Sequence, residues 1–240
     1  MTTTGTALVT GANKGIGLAV ATELGRRGFA VGVGARDAGR RDDAVRRLRD
    51  GGIEAFAVPL DVTDDASVGS AAGLLEQRGG LDVLVNNAGV SGGLPQDPGE
   101  AGAEVLRSVF ETNVLGLVRV TDAVLPLLRA SSRARIVNVS STMGSIAAMA
   151  HAGERMPVMV AYSPSKAAVN ALTVLYAQQL REAAVLVNAA CPGYVATDFT
   201  GHPAGARTPE QGAAVVVRLA TLPDDGPTGT FTDDDGPIAW

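Results

Sequence analysis

The segment Thr10-Gly11-Ala12-Asn13-Lys14-Gly15-Ile16-Gly17 joins an apolar run of strand type, residues 6–9, to residues 18–24, which carry apolar side chains at helical spacing. Glycines in such a turn let the backbone approach a ligand closely, and the first N–H groups of the following helix have no partner within it. Those groups and the helix dipole favour an anion such as a pyrophosphate. The glycine spacing is G-x-x-x-G-x-G, not the commoner G-x-G-x-x-G of dinucleotide sites. Taken alone, the segment fits a phosphate cradle or an ordinary glycine turn.

The composition indicates a globular protein with a substantial core. The chain has 240 residues, of which 46% are hydrophobic, so residues 1–240 are predicted to form a single α/β domain. The net charge of −5 and the lack of a lysine/arginine block argue against nucleic acid or an anionic membrane as the main partner. The first residues do not read as a signal peptide and no apolar stretch is long enough to span a bilayer, so we expect a cytoplasmic protein.

Cysteine and histidine are scarce. The single cysteine, Cys191, excludes an internal disulfide, and its place before Pro192 at a strand end predicts a buried, unreactive thiol. The two histidines, His151 and His202, are far apart in the sequence, so no zinc or iron site is expected. Metal chemistry is therefore not predicted, and neither histidine is given a role.

Strands and helices alternate along the chain. Because the strands are nearly continuous apolar runs, the pattern predicts a parallel sheet with helices on both faces, a Rossmann-type three-layer α/β/α sandwich whose doubly wound parallel sheet has about seven strands. The predicted strands are residues 6–9, 29–35, 53–60, 81–86, 135–141, 185–190 and a short 229–232. The predicted helices are residues 18–24, 42–50, one entered through Thr63 or Asp64, 101–128, 162–182 and one beginning at Thr208-Pro209. Residues 142–161 read as a loop of mixed character.

Polar residues follow the predicted strands, at the sheet edge where such folds bind ligands. They are Asn13, Lys14, Arg36, Asp61, Asn86, Ser141 and Thr197.

A tyrosine and a lysine lie one helical turn apart after the fifth strand. Tyr162 and Lys166 share a helix face, where an ammonium can lower a tyrosine pKa from about 10 by roughly one to three units. Ser141, at the end of the preceding strand, can then polarise a substrate carbonyl. The alternatives are a surface pair and a capping serine. Ser140 is the rival to Ser141, and strand alternation sends the two to opposite faces.

Charge after the second strand bears on the choice of cofactor. NAD sites carry an acidic residue there, whereas this chain has Arg36, with Arg40 four residues on and Lys14 in the glycine turn. Three converging cations favour the 2′-phosphate of NADPH. The alternative is that both arginines belong to the solvated run 36–49, which leaves Lys14 unexplained.

Six motifs occur in order along the chain, and together they resemble the classical short-chain dehydrogenase/reductase family over nearly its whole length. They are Thr10-Gly11-x-x-x-Gly15-Ile16-Gly17, Asn86-Asn87-Ala88-Gly89, Asn113, Val139-Ser140-Ser141, Tyr162-x-x-x-Lys166 and Pro192-Gly193. Asn13-Lys14, Ala35-Arg36-Asp37, Glu111-Thr112-Asn113 and the tail 227–240 are similar to the carbonyl-reductase-like branch.

The resemblance implies NADPH-dependent reduction of a ketone or aldehyde. Tyr162 would be the proton donor, Ser141 would polarise the carbonyl, Lys166 would lower the tyrosine pKa, and the backbone of Asn113 would hold a water that links Lys166 to solvent. The implied NADP(H)-binding residues are Gly11, Asn13, Lys14, Gly15, Ile16, Gly17, Arg36, Arg40, Asp61, Val62, Asn86, Ala88, Gly89, Tyr162, Lys166, Pro192, Gly193, Val195 and Thr197.

Some implied roles have alternatives. Asp61 also fits a helix-entry residue, and Asn86-Asn87 also fits a structural tie between strands. The competing functions are an NAD-dependent alcohol dehydrogenase and a non-catalytic NADP-binding sensor.

Residues 142–161 are longer than in typical tetrameric members of the family and shorter than in monomeric carbonyl reductases, which leaves monomer and homo-oligomer open. We expect this segment to line the pocket of a small-molecule carbonyl substrate, although ordinary packing is the alternative. The expected wall residues are Met143, Ile146, Met149, Met156, Pro157, Val158, Met159, Val90, Leu94, Tyr194 and Phe199. The short stretch 199–207 suggests an open site with broad acceptance of carbonyls.

Overall fold

A single parallel sheet organises the protein. The computed structural model describes residues 4–93, 95–152 and 156–240. The strands are β1 Gly5–Thr10, β2 Phe29–Ala35, β3 Ala55–Pro59, β4 Val83–Asn86, β5 Arg135–Val139, β6 Leu186–Ala190 and β7 Phe231–Thr232. They pair in the order β3-β2-β1-β4-β5-β6-β7, and every pair is parallel. The direction of winding reverses between β1 and β4, which is where ligands bind in such sheets.

Helices cover both faces of the sheet. They are α1 Gly15–Arg26, α2 Ala38–Asp50, α3 Asp65–Gln77, α4 Ala103–Phe110, α5 Gly116–Ala130, α6 Ile146–Ala152, α7 Tyr162–Gln179 and α8 Pro209–Ala220. One apolar core joins the sheet to α1, α2 and α8, and a second joins it to α3, α5 and α7. The predicted three-layer Rossmann-type sandwich is therefore confirmed. Among the described residues, no helix is both long and apolar enough to cross a membrane.

Strand alternation explains the two cores. In β1, Ala7 and Val9 belong to the core under α1 and α8, whereas Leu8 between them belongs to the opposite core. All three side chains are fully buried, because helices lie on both sides. This double burial is why the strands read as continuous apolar runs in the sequence.

Capping residues set several helix starts. Asp64, and not Thr63, caps α3, since its carboxylate accepts the N–H of Ala66 at 2.9 Å. Thr208 caps α8 in a reciprocal capping box with Gln211, as the predicted Thr208-Pro209 start requires.

Two segments differ from the sequence prediction. The predicted single helix 101–128 is two helices, α4 and α5, joined without a break by a π-helical turn, Glu111–Leu115. A regular period of 3.6 residues carries no sign of one extra residue in a turn, so the pattern could not reveal it. The predicted loop 142–161 contains α6, whose first turn is held by Ser145: its hydroxyl accepts the Ala148 N–H at 2.9 Å.

Candidate active site

Three of the predicted catalytic side chains come together beyond β5. Ser141 follows the strand by two residues, and Tyr162 and Lys166 lie in the first two turns of α7. The Ser141 hydroxyl lies beside the Tyr162 hydroxyl, near enough to lower the tyrosine pKa. The Lys166 Nζ lies 5.8 Å from the centroid of the Tyr162 ring. Tyr162 and Lys166 are only 8% and 6% exposed, so this is a desolvated site and not a surface pair.

Ser140 points away from this group. Its hydroxyl donates to the Asn170 Oδ1 at 2.6 Å, and its side chain is buried. The alternation of side chains at the strand end thus separates the two serines, and it leaves Ser141 beside the tyrosine.

The pKa values of the protein alone differ from the expectation. Burial raises the pKa of Tyr162 well above its ordinary value, and the Ser141 hydroxyl opposes that rise only in part. Burial also lowers the pKa of Lys166 to about 8. The Lys166 Nζ donates to the Val139 carbonyl at 2.7 Å. The predicted lowering of the tyrosine pKa by Lys166 is therefore wrong for the protein alone, because desolvation outweighs a charge held some distance from the ring.

Asn113 lies in the π-helical turn and is 2% exposed. Its amide accepts the Val90 N–H at 2.8 Å, donates to the Val90 carbonyl at 2.9 Å and donates to the Ser165 hydroxyl at 3.0 Å. A cavity of about 10 Å³ lies beside it, with Thr112 and Lys166 among its lining residues. That volume is about the minimum for one water molecule. The space and its neighbours suit the water site implied for the Asn113 backbone, a role that stays a prediction.

The glycine turn has the shape of an anion cradle. Gly15 begins α1 with a φ of +55°, which a larger residue adopts only with strain, and no side chain caps the helix. A Cβ at Gly17 would lie 2.5 Å from the Asn87 Nδ2 and from the Gly11 carbonyl oxygen. The Asn87 Nδ2 donates to the Thr10 carbonyl at 2.8 Å, which ties β4 to the turn. The uncapped helix start and the close backbone packing fit the pyrophosphate of a dinucleotide.

The predicted residues after β3 and β4 surround the same sheet edge. Asp61 accepts the N–H and the hydroxyl of Thr63, at 3.0 and 2.7 Å, and these bonds hold its pKa below the ordinary value. Val62 is buried against Gly116. The Asn86 amide donates to the Thr121 hydroxyl at 3.0 Å and to the Asn138 Oδ1 at 2.9 Å. Its nitrogen is thus committed to a structural network, the alternative that the sequence left open.

The remaining predicted cofactor residues lie on two segments that meet at the turn. Ala88 donates its N–H to the Thr10 hydroxyl at 2.9 Å. After β6, Val195 and Thr197 are buried, and the Thr197 methyl lies 3.2 Å from where a Cβ of Gly15 would be. Asn13 and Ile16 lie within the turn, Gly89 follows Ala88, and Pro192 and Gly193 follow Cys191. The prediction of a buried thiol at Cys191 is confirmed, because that free cysteine is 2% exposed.

The three predicted cations have carboxylate neighbours. The Lys14 Nζ forms an ion pair with the Asp198 Oδ2 at 2.6 Å, and the Arg40 Nε lies 3.7 Å from the Asp37 Oδ2. The positive charge of Arg36 contributes to the lowered pKa of Asp61. All three cationic residues are exposed. They are available to an anionic ligand, but Lys14 must leave its carboxylate to bind one.

One of the expected substrate-wall residues, Phe199, contacts Tyr162, and three others are exposed. The Phe199 ring lies 5.5 Å from the Tyr162 ring, centroid to centroid. Ile146, Val158 and Tyr194 are 67%, 52% and 62% exposed. Leu94 lies outside the described residues.

Sequence reasoning missed Asp198 and Ser165. Asp198 also accepts from the His202 Nε2 at 2.8 Å, and both contacts hold its pKa down to about 2. Ser165 donates to the Tyr162 carbonyl at 2.6 Å. The sequence carries no signal for the Lys14–Asp198 contact, because it joins residues 184 positions apart. The contact between Ser165 and the Tyr162 carbonyl could have been predicted, because the two residues lie one helical turn apart.

A desolvated tyrosine beside a serine and a lysine, with an anion cradle on the same sheet edge, defines the class of nicotinamide-dependent oxidoreductases. The chain belongs to the short-chain dehydrogenase/reductase family, since the family model described as short chain dehydrogenase matches residues 5–205. It lies in the carbonyl-reductase-like branch of the classical members. Among the described residues, no group of histidine, cysteine and carboxylate side chains could hold a metal ion.

Relatives and solved structures agree with this assignment. The chain is 37% identical over 223 residues to the short-chain dehydrogenase anuI of Penicillium roqueforti, covering 89% of this chain and 87% of that one. It is 34% identical to carbonyl reductase [NADPH] 1 of Rattus norvegicus, covering 98% of each. A crystal structure of NADPH-bound carbonyl reductase from chicken fatty liver superposes with a TM-score of 0.86 at 31% identity, covering 98% of each chain.

Proposed function

We propose that the protein reduces a ketone or aldehyde to the alcohol with NADPH. The observation that carries this proposal is the placement of the Ser141 hydroxyl beside the buried hydroxyl of Tyr162, with buried Lys166 in the next turn of α7. A hydroxyl pair of this kind can bind one carbonyl oxygen from two sides and protonate it.

The side chains have distinct tasks in this reaction. NADPH, when bound, supplies the hydride. Tyr162 keeps its proton at neutral pH because burial raises its pKa, so it is a proton donor and not a base in the reductive direction. Ser141 donates a hydrogen bond to the same carbonyl oxygen. Lys166, with a pKa of about 8, stays largely charged at neutral pH and stabilises the tyrosinate as the proton leaves.

Selectivity for NADPH is part of the proposal. Lys14, Arg36 and Arg40 supply cations for a 2′-phosphate, and the residue after β2 is a cation where NAD sites carry a carboxylate. We expect Arg36→Ala to raise the Michaelis constant for NADPH and to leave that for NADH nearly unchanged. An unchanged constant for NADPH would contradict the assignment.

The substrate is proposed to be a small carbonyl compound with an apolar body. Phe199 contacts the Tyr162 ring and is 43% exposed, and the predicted wall residues Ile146, Val158 and Tyr194 supply further exposed apolar surface. The exposure of these side chains suits an open site that accepts several aldehydes and ketones.

The decisive experiment is NADPH oxidation over a panel of aldehydes and ketones, with Tyr162→Phe as control. We expect the original protein to turn over at least one carbonyl compound. We expect Tyr162→Phe to abolish that turnover and still to bind NADPH. Oxidation of alcohols with NAD and no reduction with NADPH would favour the dehydrogenase alternative. NADPH binding without turnover of any carbonyl would indicate a sensor.

A further inference from the structure

Gln96 is a buried polar residue with no role in the site as described so far. It lies in the loop between β4 and α4, and it is 1% exposed. Its Nε2 donates to the carbonyls of Ser91 and Gly93, the latter at 2.7 Å. Its Oε1 accepts two backbone N–H groups, those of Ala161 and Tyr162, each at 3.2 Å. The amide thus uses both of its donors and both lone pairs, which is its full capacity.

The bonds to Ala161 and Tyr162 satisfy the start of α7. No side chain of the helix's own N-cap residue, Ala161, accepts an N–H there. The first N–H groups of a helix have no intrahelical partner, so burial would leave them unpaired without an outside acceptor. The Gln96 backbone carbonyl also accepts the Val160 N–H at 3.3 Å. The N–H groups of three consecutive residues, 160 to 162, therefore all donate to Gln96, which lies in a loop far away in the sequence.

The same loop is also linked, through a chain of hydrogen bonds, to the backbone carbonyl of Tyr162. The Tyr162 carbonyl accepts the Ser165 hydroxyl, and that hydroxyl accepts the Asn113 amide. The Asn113 amide in turn binds both the N–H and the carbonyl of Val90, at the beginning of the loop. The backbone of Tyr162 is thus fixed from its N–H side by Gln96 and from its carbonyl side through Ser165.

We propose that Gln96 is a positioning residue for Tyr162, which it holds in register with the β4–α4 loop so that the tyrosine hydroxyl stays aligned with Ser141. This inference rests on the proposed function. The hydrogen bonds of the Gln96 side chain all go to backbone atoms, so its contribution passes through the tyrosine. A shift of the reacting group by about 1 Å can lower a rate about 100-fold, so the loss of this clamp acts on kcat.

The first test replaces Gln96 by methionine, which has a similar length and no hydrogen-bonding amide. Gln96→Met is expected to lower kcat about 10- to 100-fold, leave the dissociation constant of NADPH within about twofold, and speed backbone amide exchange at Tyr162. Thr173→Val is the matched control, because it removes buried hydrogen bonds from the same helix without touching the Tyr162 peptide. It should lower stability and keep kcat.

Gln96→Glu separates the two halves of the clamp. A carboxylate still accepts the N–H groups of Ala161 and Tyr162 but has no proton for the carbonyls of Ser91 and Gly93, whereas a carboxylic acid supplies one. The kcat of Gln96→Glu, relative to the original protein, should therefore approach 1 at low pH and fall as the pH rises. This comparison keeps the test decisive if the methionine variant does not fold.

Three results would overturn the proposal. They are a kcat of Gln96→Met within twofold of the original, a loss equal to that of Thr173→Val, or a pH-independent ratio for Gln96→Glu. Failure of the proposed function looks different, because the unaltered protein would then turn over no carbonyl. In that case the amide exchange of Tyr162 still tests the clamp, and an unchanged exchange rate in Gln96→Met would refute it.

Discussion

The catalytic side and the phosphate side of this active site are held in different ways. Tyr162 and Lys166 are buried, and hydrogen bonds fix the backbone or the head group of each. Lys14 and Arg40 have side chains that are 50% and 65% exposed, and their contacts are ion pairs with other exposed side chains. Moving a desolvated group costs free energy because its buried hydrogen bonds must break. Exposed ion pairs contribute only about 0–1 kcal/mol to stability, so they exchange partners easily. If the proposed function holds, the catalytic groups are therefore preorganised, and the selection of a cofactor falls to side chains that can change partners.

The largest expected effect comes from the catalytic side. Ser141→Ala removes the hydroxyl beside Tyr162, and we expect kcat to fall about 10²- to 10⁴-fold with little change in NADPH binding. Steady-state kinetics with a carbonyl substrate measures this loss. Ser140→Ala is the control, since that serine faces Asn170, and it should retain most of the activity. If kcat fell equally in Ser141→Ala and Ser140→Ala, the assignment of the catalytic role to Ser141 and not Ser140 would be contradicted.

Burying the charged Lys166 side chain lowers the free energy of unfolding, a cost that the exposed cations do not have. Because its folded pKa of about 8 lies below its ordinary value of 10.5, the unfolded chain binds more protons between those values, and stability rises with pH across that window. Lys166→Met should therefore lose activity and yet have a higher free energy of unfolding than the original protein at pH 7. The difference should shrink as the pH rises from about 8 towards 10.5. Urea unfolding at a series of pH values measures it, and a constant difference would refute the burial argument.

On the phosphate side, the proposed role of Lys14 makes Asp198 a competitor of the cofactor, because Asp198 already forms an ion pair with that lysine. Asp198→Asn keeps the shape of the side chain and removes its charge, so the Michaelis constant for NADPH should fall about two- to fivefold, the range of a surface ion pair. The constant for NADH serves as the control, because NADH has no 2′-phosphate and should respond little. A similar fall for both cofactors would place Lys14 away from the phosphate.

The smallest effect is expected at Arg40. Its guanidinium is mostly exposed and lies 3.7 Å from the Asp37 carboxylate, so Arg40→Ala should change the free energy of unfolding by less than about 0.5 kcal/mol. The Michaelis constant for NADPH should rise by less than it does in Arg36→Ala. Kinetics and urea unfolding of the two variants side by side give the ranking, and a larger effect at Arg40 would reverse it.

The sequence was most informative where a local rule decides the structure. Strands buried on both faces are continuous apolar runs, so the sheet and its helical layers could be predicted. The capping box at Thr208 and the opposite orientations of Ser140 and Ser141 also follow from neighbouring residues. The Ser141, Tyr162 and Lys166 group needed two further inferences: that the carboxyl ends of parallel strands share an edge, and that the motifs resemble those of a known family.

Tertiary contacts decided the features that the sequence could not predict. The pKa of Tyr162 depends on how completely neighbouring elements desolvate it, which a spacing of four residues does not encode. The partner of Lys14 comes from the segment after β6, and the acceptor for the start of α7 comes from the loop after β4. No periodic pattern links such distant positions.

The π-helical turn at Glu111–Leu115 also matters for how variants of this protein should be sought. A π-helical turn holds one residue more than a regular α-helical turn, so the faces of the flanking helices α4 and α5 keep their register across it. Deleting one residue at 111–115 should therefore restore a regular helix with both buried faces in place, while it removes or displaces Asn113, whose amide binds the backbone of Val90. Substitutions in α4 or α5 leave the extra residue where it is, so only such a deletion tests what the π-helical turn contributes.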